Sequence, residues 1–420
     1  MKTLKKLTTI CLGALLLGAC TAGGGTETEG GNGTDKVTKQ RFVFSFDRLE
    51  VFNNGEDYAV LTATFDEQPL ELGEYSILDG QNDDELIDLE NGSYECDDYK
   101  LVVDAESGEI RFISQTIGRY KFTAMYGTGA DSDFTDYDRI SVIKTPPPFP
   151  AAPEDTYVES TNFRRRILLT QFTGTGCGYC PNMMNALYAV KNSSYNSKVV
   201  FTAAHLYNSS DPAYLYKADL ASVSGVTSYP DITADLAPSI KQNTSKANTA
   251  FLSTLISDAE KREVVKGGIA VSSKYYAEEN YVVVTALVKA AVSDNFRVGA
   301  WLLEDKIIAE QSNYGTTPTQ GLNFNEHNNC IRRVDSKQSS RDFTGKTLGA
   351  LAKGETATMN FSFPLKENGE GASDTWNHAN LRLVVFISTK GADGKWYVNN
   401  VVEAPIDGTK DFEYVQTTKE

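Results

Sequence analysis

The feature that most restricts the fold of this chain is a series of short segments in which apolar and polar residues alternate. Between residues 41 and 144 these segments are separated by turn signals such as Asn53-Asn54-Gly55, and no helical period occurs. Alternation with a period of two is typical of strands that bury one face. The same pattern returns at about residue 264 and continues to the end of the chain. We therefore predict two antiparallel β-sandwiches, over residues 40–145 and 263–420.

One segment of the first sandwich resembles a known module. The run IGRYKFTAMYG, residues 117–127, is similar to the penultimate strand of bacterial immunoglobulin-like domains. The resemblance implies that residues 40–145 form an immunoglobulin-like β-sandwich.

The region between the two predicted sandwiches has a different pattern. An apolar run at 164–174 leads into Cys177-Gly178-Tyr179-Cys180, and the residues after this motif have a helical period. A second apolar run, a helical stretch, a strand led by Pro230 and a long helix follow. This order resembles a thioredoxin-like fold. Residues 146–262 are therefore expected to form a stiff proline-rich linker and a thioredoxin-like α/β domain. The predicted fold class is multidomain, α/β plus all-β.

The N-terminus has the features of an export signal. Three lysines precede an apolar stretch, 10–17, that is too short to span a bilayer, and small residues stand directly before Cys20. This arrangement resembles the lipobox of bacterial lipoproteins, with residues 1–19 as the signal peptide and Cys20 as the lipidated residue. An ordinary signal peptide with a chance cysteine is the alternative. Residues 20–39 are rich in Gly and Thr and predict a flexible tether. No later segment is apolar enough for a transmembrane helix.

The charge and the histidine count exclude several kinds of partner. A formal net charge of -16 argues against nucleic acid and anionic lipid headgroups as partners. Attachment to the membrane is therefore expected through the lipid anchor alone. The acidic run at 79–90 lacks the ligand spacing of a calcium loop and predicts a solvated loop. The chain has three histidines and no second CxxC, too few ligands for a structural zinc site. We expect no metal and no cofactor.

The CxxC motif is the candidate reactive site. Unpaired N–H groups at a helix start stabilise a thiolate, so Cys177 is the candidate nucleophile and Cys180 the resolving thiol, with Tyr179 between them. Pro230 falls where thioredoxin-like proteins carry a cis-proline that faces the dithiol. Such a dithiol would exchange with thiols or disulfides of exported proteins, at a potential between about −270 and about −120 mV. An inert structural disulfide is the competing interpretation.

Two residues depart from the thioredoxin pattern. Thioredoxins carry a buried acid six residues before the first cysteine, where this chain has Gln171. They carry Trp directly before that cysteine, where this chain has Gly176. Proton transfer at Cys180 would then need water or another group, which weakens a reductase more than an oxidase or isomerase.

A broader resemblance covers about residues 160–420. The stretch 168–187 with Pro230 is similar to the thioredoxin-like domain of lipoproteins of the outer membrane protein 28 family from Bacteroidetes-type bacteria. The segments WLLEDKIIAEQ and NEHNNCIRR resemble the C-terminal half of that family. The resemblance implies a location in the cell envelope at the outer membrane. The recurring residues are matched here by Glu304, Gln311, His327, Asn328 and Arg332.

Two functions remain open from the sequence. One is a membrane-anchored thiol–disulfide oxidoreductase or isomerase acting on exported proteins through the CGYC dithiol. The alternative is a non-catalytic binding or assembly lipoprotein that uses its β-sandwich domains. The sequence does not decide whether the chain is an enzyme, and it favours no oligomeric state. Cys96 and Cys330 are expected to be buried, reduced thiols. The polar segment 311–353 is expected to be functional or mobile, and His327 a hydrogen-bonded structural histidine.

Overall fold

A computed structural model describes residues 41–81, 84–89, 91–127, 134–216, 219–238, 248–338, 342–365 and 376–415. The predicted signal peptide, the lipidated Cys20 and the tether lie outside this part of the chain. The protein divides into two compact units, of which one ends at Thr145 and the other begins at Pro146. Among the described residues, no helix has the length and apolar character needed to cross a membrane.

The N-terminal unit is built from two β-sheets around one aromatic core. One sheet has the order β1-β3-β9-β8-β7, with β4 paired to β3, and the other has the order β2-β11-β10-β5-β6. Phe44, Phe112 and Phe122 are completely buried between them. The predicted β-sandwich is therefore confirmed. Its strands are β1 Phe42–Phe46, β2 Glu50–Phe52, β3 Ala59–Phe65, β4 Gln68–Pro69, β5 Ser76–Asp79, β6 Glu85–Ile87, β7 Ser93–Glu95, β8 Lys100–Val103, β9 Ile110–Ile113, β10 Gly118–Tyr126 and β11 Phe134–Ile143.

The C-terminal unit contains the remaining strands and the helices. The described helices are α1 Cys180–Lys191, α2 Asp219–Val223 and α3 Thr249–Arg262. The strands are β12 Ile167–Thr173, β13 Val199–His205, β14 Asp231–Ala234, β15 Gly267–Tyr276, β16 Tyr281–Ala290, β17 Asp294–Glu304, β18 Ile307–Ile308, β19 Glu326–His327, β20 Cys330–Asp335, β21 Lys346–Leu351, β22 Thr356–Pro364, β23 Leu381–Lys390, β24 Trp396–Pro405 and β25 Gly408–Lys410.

An eight-stranded sheet organises this unit. Its order is β14-β12-β13-β20-β17-β23-β24, with β21 paired to β17. β12 and β13 are parallel, β14 is antiparallel to β12, and β13 joins β20 where Ala203 lies opposite Cys330. A second sheet, β22-β16-β15-β25, shares a core with the β17-β23-β24 part. The C-terminal part of the chain thus forms the predicted sandwich.

The predicted fold class, with a separate α/β thioredoxin-like domain, is wrong. Strands account for 45% of the described residues and helices for 11%. The strands expected to form that domain are β12, β13 and β14. Through β20 they join the strands of the C-terminal sandwich, so that all of them belong to one sheet. Helices α1 and α3 cover one face of β12, where Leu169 is buried. On the other face, Leu168 shares a core with Trp301 of β17. The local order of elements resembles an independent domain, but its sheet has no boundary at residue 262.

The proline-rich segment is bound to the second sheet. The hydroxyl of Thr285 donates to the carbonyl of Pro150 at 2.7 Å, and the ammonium of Lys289 lies 2.7 Å from a carboxylate oxygen of Asp155. Lys289 is 1% exposed, so its charge is neutralised inside the protein. The segment that the sequence predicts as a linker is therefore an integral part of the C-terminal unit.

Candidate functional site

The CxxC motif lies where β12 ends and α1 begins. Gly174 and Gly176 carry the chain out of the sheet, and α1 starts at Cys180 with Pro181 in its first turn, a position that suits proline because no N–H is needed there. Cys177 and Cys180 form a disulfide with a Cα–Cα distance of 5.4 Å. The cysteines are 3% and 0% exposed. The candidate nucleophile Cys177 and the candidate resolving thiol Cys180 are therefore both buried.

A later part of the chain covers this disulfide loop. We call residues 311–319 the covering segment. The side-chain amide nitrogen of Gln311 donates to the carbonyls of Thr175 at 3.1 Å and Cys177 at 2.9 Å. Because all its near neighbours are carbonyl oxygens, the nitrogen of the amide must face the loop. The backbone N–H of Tyr314 donates to the carbonyl of Gly178 at 3.0 Å. The disulfide loop is therefore hydrogen-bonded to the covering segment on its outer side.

Side chains of α1 hold the other end of the covering segment. Asn185 donates through its amide nitrogen to the carbonyl of Thr317 at 2.8 Å and accepts from the N–H of Thr319 at 2.8 Å. The hydroxyl of Thr316 lies 3.0 Å from the side-chain oxygen of Asn182. These contacts place the first part of the long polar segment, 311–353, directly over the CxxC helix.

The other two predicted site residues are Tyr179, inside the loop, and Pro230, which follows Tyr229. The Tyr229–Pro230 bond is cis, as predicted, and Pro230 is buried. The ring of Tyr229 contacts that of Tyr207 with centroids 5.6 Å apart, and Tyr207 lies against Gly174. Tyr179 is 49% exposed and makes a perpendicular ring contact with Tyr314 at 5.0 Å. Tyr179 thus lies at the CxxC loop, and Tyr229, the residue before Pro230, is linked to the loop through Tyr207.

Both departures from the thioredoxin pattern have structural counterparts. Gln171 is 7% exposed, and its amide nitrogen has no hydrogen-bond partner among the described residues. An amide cannot relay a proton as a carboxylic acid does. The N–H of Gly176 donates to Asn208 at 2.9 Å, and a Cβ at this glycine would lie 3.0 Å from the same oxygen. This close approach leaves no room there for tryptophan.

A buried polar cluster next to the loop was not foreseen from the sequence. Nδ1 of His205 lies 2.8 Å from Oδ2 of Asp211, and its Nε2 lies 3.5 Å from the sulfur of Cys330. The same Asp211 oxygen accepts the N–H of Thr175 at 2.7 Å, so the cluster is tied to the disulfide loop. Cys330 is the buried free thiol that the sequence predicts, but its histidine neighbour lies 125 residues away in the chain. No local pattern could reveal such a contact.

Charge interactions in this cluster oppose the effect of burial. Burial alone lowers the pKa of His205, but the charges of Cys330 and Asp211 and the hydrogen bonds to them outweigh it and raise that pKa to about 10. For Asp211, burial acts upward, but His205 and two backbone N–H groups lower its pKa to about 2. Cys330, His205 and Asp211 are lined up as a nucleophile, a base and an acid would be. All three are at least 96% buried, which closes the thiol to substrates.

The residues that carry the family resemblance are mostly structural. His327 is 3% exposed, lies 3.2 Å from the carbonyl of Ala309 and stacks edge-on against His205. Burial, and then the charge of His205, lower its pKa to about 4. Asn328 accepts the N–H of Lys306 at 3.1 Å. The prediction of a structural His327 agrees with these contacts.

Glu304 and Arg332 form a buried ion pair. Nε of Arg332 lies 3.2 Å from Oε2 of Glu304, and each side chain is 5% exposed. Arg332 also donates to the carbonyl of Pro212 at 2.7 Å and lies over the ring of Trp376. Pro212 follows Asp211, so Arg332 contacts the backbone beside the same polar cluster. Gln311 thus bonds the disulfide loop directly, and Arg332 bonds the residue next to Asp211.

The structure offers little to a metal or a small anion. Within the described ranges, no group of three His, Cys, Asp or Glu side chains is placed to hold a metal ion. A cavity of about 290 Å³ is lined by Arg166, Lys191 and Arg382 together with Asp305 and Glu403. Arg382 is paired with both of these acids at 3.1 and 2.9 Å. The positive charge that an anion would need is thus largely neutralised.

Comparison with known proteins gives a partial match. Residues 217–410 match the family model of outer membrane protein Omp28. Among solved structures, HBP35 of Porphyromonas gingivalis is similar, with a TM-score of 0.46 and 16% identity, over 62% of this chain and 82% of that chain. No curated protein sequence matches significantly.

The family match covers the C-terminal part of the chain and leaves out Cys177 and Cys180. It includes Glu304, Gln311, His327, Asn328 and Arg332, which carry the C-terminal part of the sequence resemblance, and it leaves out the stretch 168–187. The match confirms the predicted location in the cell envelope, at the outer membrane. Residues 217–410 are thus similar to the outer membrane protein Omp28 family, and the chain is an envelope-associated protein of the outer membrane.

Proposed function

We propose that this chain is a non-catalytic binding protein of the cell envelope, in which the Cys177–Cys180 disulfide is a structural crosslink. The observation that carries the proposal is the burial of both cysteines beneath the covering segment. A thiol–disulfide exchange enzyme needs one sulfur that an incoming thiolate can attack in line. Here Gln311 and Tyr314 bond the backbone of the disulfide loop, and both sulfurs are buried, so neither is open to such an attack.

The lack of a proton carrier supports the same proposal. A resolving thiol must lose its proton as the disulfide re-forms, and the amide of Gln171 cannot accept it. The nearby group with the strongest acid–base character, His205, is hydrogen-bonded to Asp211 and Cys330 inside the core. What the arrangement does well is to fix the loop at the end of β12 in a single conformation.

The first prediction is that the dithiol is redox-inert. The chain without residues 1–20 should reduce insulin or oxidise a peptide dithiol no faster than the Cys177→Ser/Cys180→Ser double variant. The disulfide should persist in glutathione buffers, with a potential below about −300 mV. Alkylation of free thiols after equilibration measures it. Turnover above the double variant, or a potential above about −270 mV, would instead support the oxidoreductase. Loss of a crosslink over so short a loop should cost about 2 kcal/mol of unfolding free energy.

The second prediction tests the cover directly. Gln311→Ala removes the amide that binds the loop carbonyls, so dithiothreitol should reduce the disulfide about tenfold faster. A tenfold change corresponds to a decrease of about 1.4 kcal/mol in the free energy needed to open the cover. Gln338→Ala is the matched control, because Gln338 lies in the same long segment and bonds Thr347 instead. Equal rates for both variants and the unmodified chain would mean that the covering segment does not limit access.

The third prediction concerns the anchor, for which the lipobox at Cys20 is the support. Cys20→Ser should abolish lipidation and release the protein from membranes, because the proposal gives the membrane no other attachment. Fractionation with a carbonate wash measures the release, and Cys96→Ser provides the control. Retention of the Cys20→Ser chain in the washed membranes would contradict the lipid anchor.

A further inference from the structure

Four segments of this acidic chain contain no Asp, Glu, Lys or Arg. They are residues 167–190, 199–210, 220–230 and 311–324, in a sequence of which 23% is charged. Each segment carries a tyrosine at or near the disulfide loop. A surface without charge on such a protein is unusual, because charged side chains normally cover the exposed area.

The fold brings these four segments into contact. A Cβ placed on Gly174 would lie 2.6 Å from Cβ of Tyr207, and one on Gly178 would lie 2.6 Å from the ring of Tyr314. The ring of Tyr207 also meets that of Tyr229, and the ring of Tyr314 meets that of Tyr179. The glycines thus form a floor on which tyrosines from the other segments lie. We call Tyr179, Tyr207, Tyr229 and Tyr314 the tyrosine surface.

The rings of this surface are fixed but open to solvent. Tyr179, Tyr207 and Tyr314 are 49%, 50% and 68% exposed. Three ring atoms of Tyr314 are equally close to the Cβ position of Gly178, so the ring lies against the glycine while most of the residue stays exposed. Tyr179 stands perpendicular to it, at 86°. Among the described residues, none hydrogen-bonds the hydroxyls of these three tyrosines. The arrangement is preorganised for contact.

We propose that the tyrosine surface binds an uncharged segment of another polypeptide, which rests on the non-catalytic binding function proposed above and deepens it. Tyrosine, serine, glycine and asparagine are the residues that dominate protein-recognition loops, since tyrosine gives a large amphipathic contact at low entropy cost. The cores of protein interfaces are also enriched in aromatic residues and depleted of charge. The loops around Cys177 have this composition, and the disulfide and covering segment hold them rigid.

A polypeptide fits this surface better than a glycan does. A sugar site orients its ligand with a few free polar groups among the aromatic rings. Here the amides beside the rings are already used: Asn208 bonds the N–H of Gly176, Asn185 bonds Thr317 and Thr319, and Asn313 bonds Thr316 twice. Open ring faces and tyrosine hydroxyls remain, and these suit backbone and apolar side-chain contacts.

A displayed library of random dodecapeptides tests the proposal. The mature full chain, with Ser at position 20, serves as bait, and a Tyr179→Ser/Tyr207→Ser/Tyr314→Ser variant removes background binders. The enriched peptides should be poor in charge. Their binding should weaken about tenfold or more in Tyr314→Ala. It should change less than about twofold between about 50 and about 500 mM salt, since no ion pair contributes.

Two variants control the experiment. Tyr157→Ala removes an exposed tyrosine outside the surface and should leave binding unchanged. Gly178→Ala keeps every tyrosine but displaces the ring of Tyr314, so it should weaken binding about as much as Tyr314→Ala. Circular dichroism checks that each variant is folded.

Several results would overturn the proposal. These are peptides rich in charge, peptides that bind Tyr314→Ala as well as the unmodified chain, and failure to enrich any peptide over the triple variant. Binding of neutral hexasaccharides that requires Tyr314 would assign the surface to a glycan instead. Self-association in sedimentation that Tyr314→Ala abolishes would assign it to a second copy of the chain. None of these outcomes touches the redox test, so the two proposals fail separately.

Discussion

Replacement of Glu304 by Gln should lower the free energy of unfolding by about 3–5 kcal/mol. Glu304 and Arg332 face each other inside the protein, with each side chain 5% exposed. The substitution keeps the shape and the acceptor for the N–H of Asn377, which lies 2.7 Å from Glu304. It removes the negative charge, and the buried guanidinium of Arg332 then loses the carboxylate that faces it. Urea denaturation of the C-terminal transition measures the loss.

Two controls separate the charge effect from packing. Glu304→Gln/Arg332→Met removes both charges of this pair, so much of the lost stability should return. Glu260→Gln breaks an ion pair with Lys198 that is 2.9 Å long but more than one-third exposed on both sides, and should cost less than about 1 kcal/mol. If Glu304→Gln costs no more than Glu260→Gln, the buried pair does not stabilise the site as argued.

Local patterns in the sequence predicted the local structure well. In β1, Phe42, Phe44 and Phe46 point into the core while Val43 and Ser45 do not, as the period of two requires. Strand β12 is buried at every position, as expected for a strand covered on both faces. The helix start at Cys180 and the cis bond before Pro230 were also foreseen.

Pairings between distant parts of the chain could not be read in the same way. Strand β13 is apolar, as a strand of an independent domain would be, and nothing in its sequence indicates that Ala203 pairs with Cys330. The thioredoxin-like domain was therefore drawn as a separate unit. The covering segment was equally hidden, because the amide of Gln311 recognises backbone carbonyls, which every residue has. Nothing in the sequence around Tyr314 indicates that its ring lies on Gly178.

The buried histidine cluster makes stability depend on pH in opposite directions on two sides of neutrality. The pKa of His205 rises from 6.5 to about 10 in the folded protein, where Asp211 and Cys330 are its partners and His327 and Arg332 lie nearby. Below pH 6.5 its protonated form contributes in full, and the contribution is lost as the pH rises towards 10. The pKa of His327 falls from 6.5 to about 4, so its contribution is present above pH 6.5 and is lost as the pH falls towards 4.

The free energy of unfolding should therefore have a maximum near pH 6.5 for this pair of groups, with separable arms. At about 1.4 kcal/mol per pKa unit, the alkaline arm has a ceiling of about 5 kcal/mol and the acidic arm a ceiling of about 3 kcal/mol. His205→Gln should flatten the alkaline arm and His327→Gln the acidic one, because each removes the group that titrates there. Carboxylates also titrate below pH 5, so the comparison must be between variants at each pH. The remaining histidine of the chain, His378, bonds Tyr275 rather than Asp211 or Cys330, and His378→Gln is the matched control. If the alkaline arm persists in His205→Gln, the charged imidazole of His205 does not stabilise the contacts with Asp211 and Cys330 that hold the disulfide loop in place.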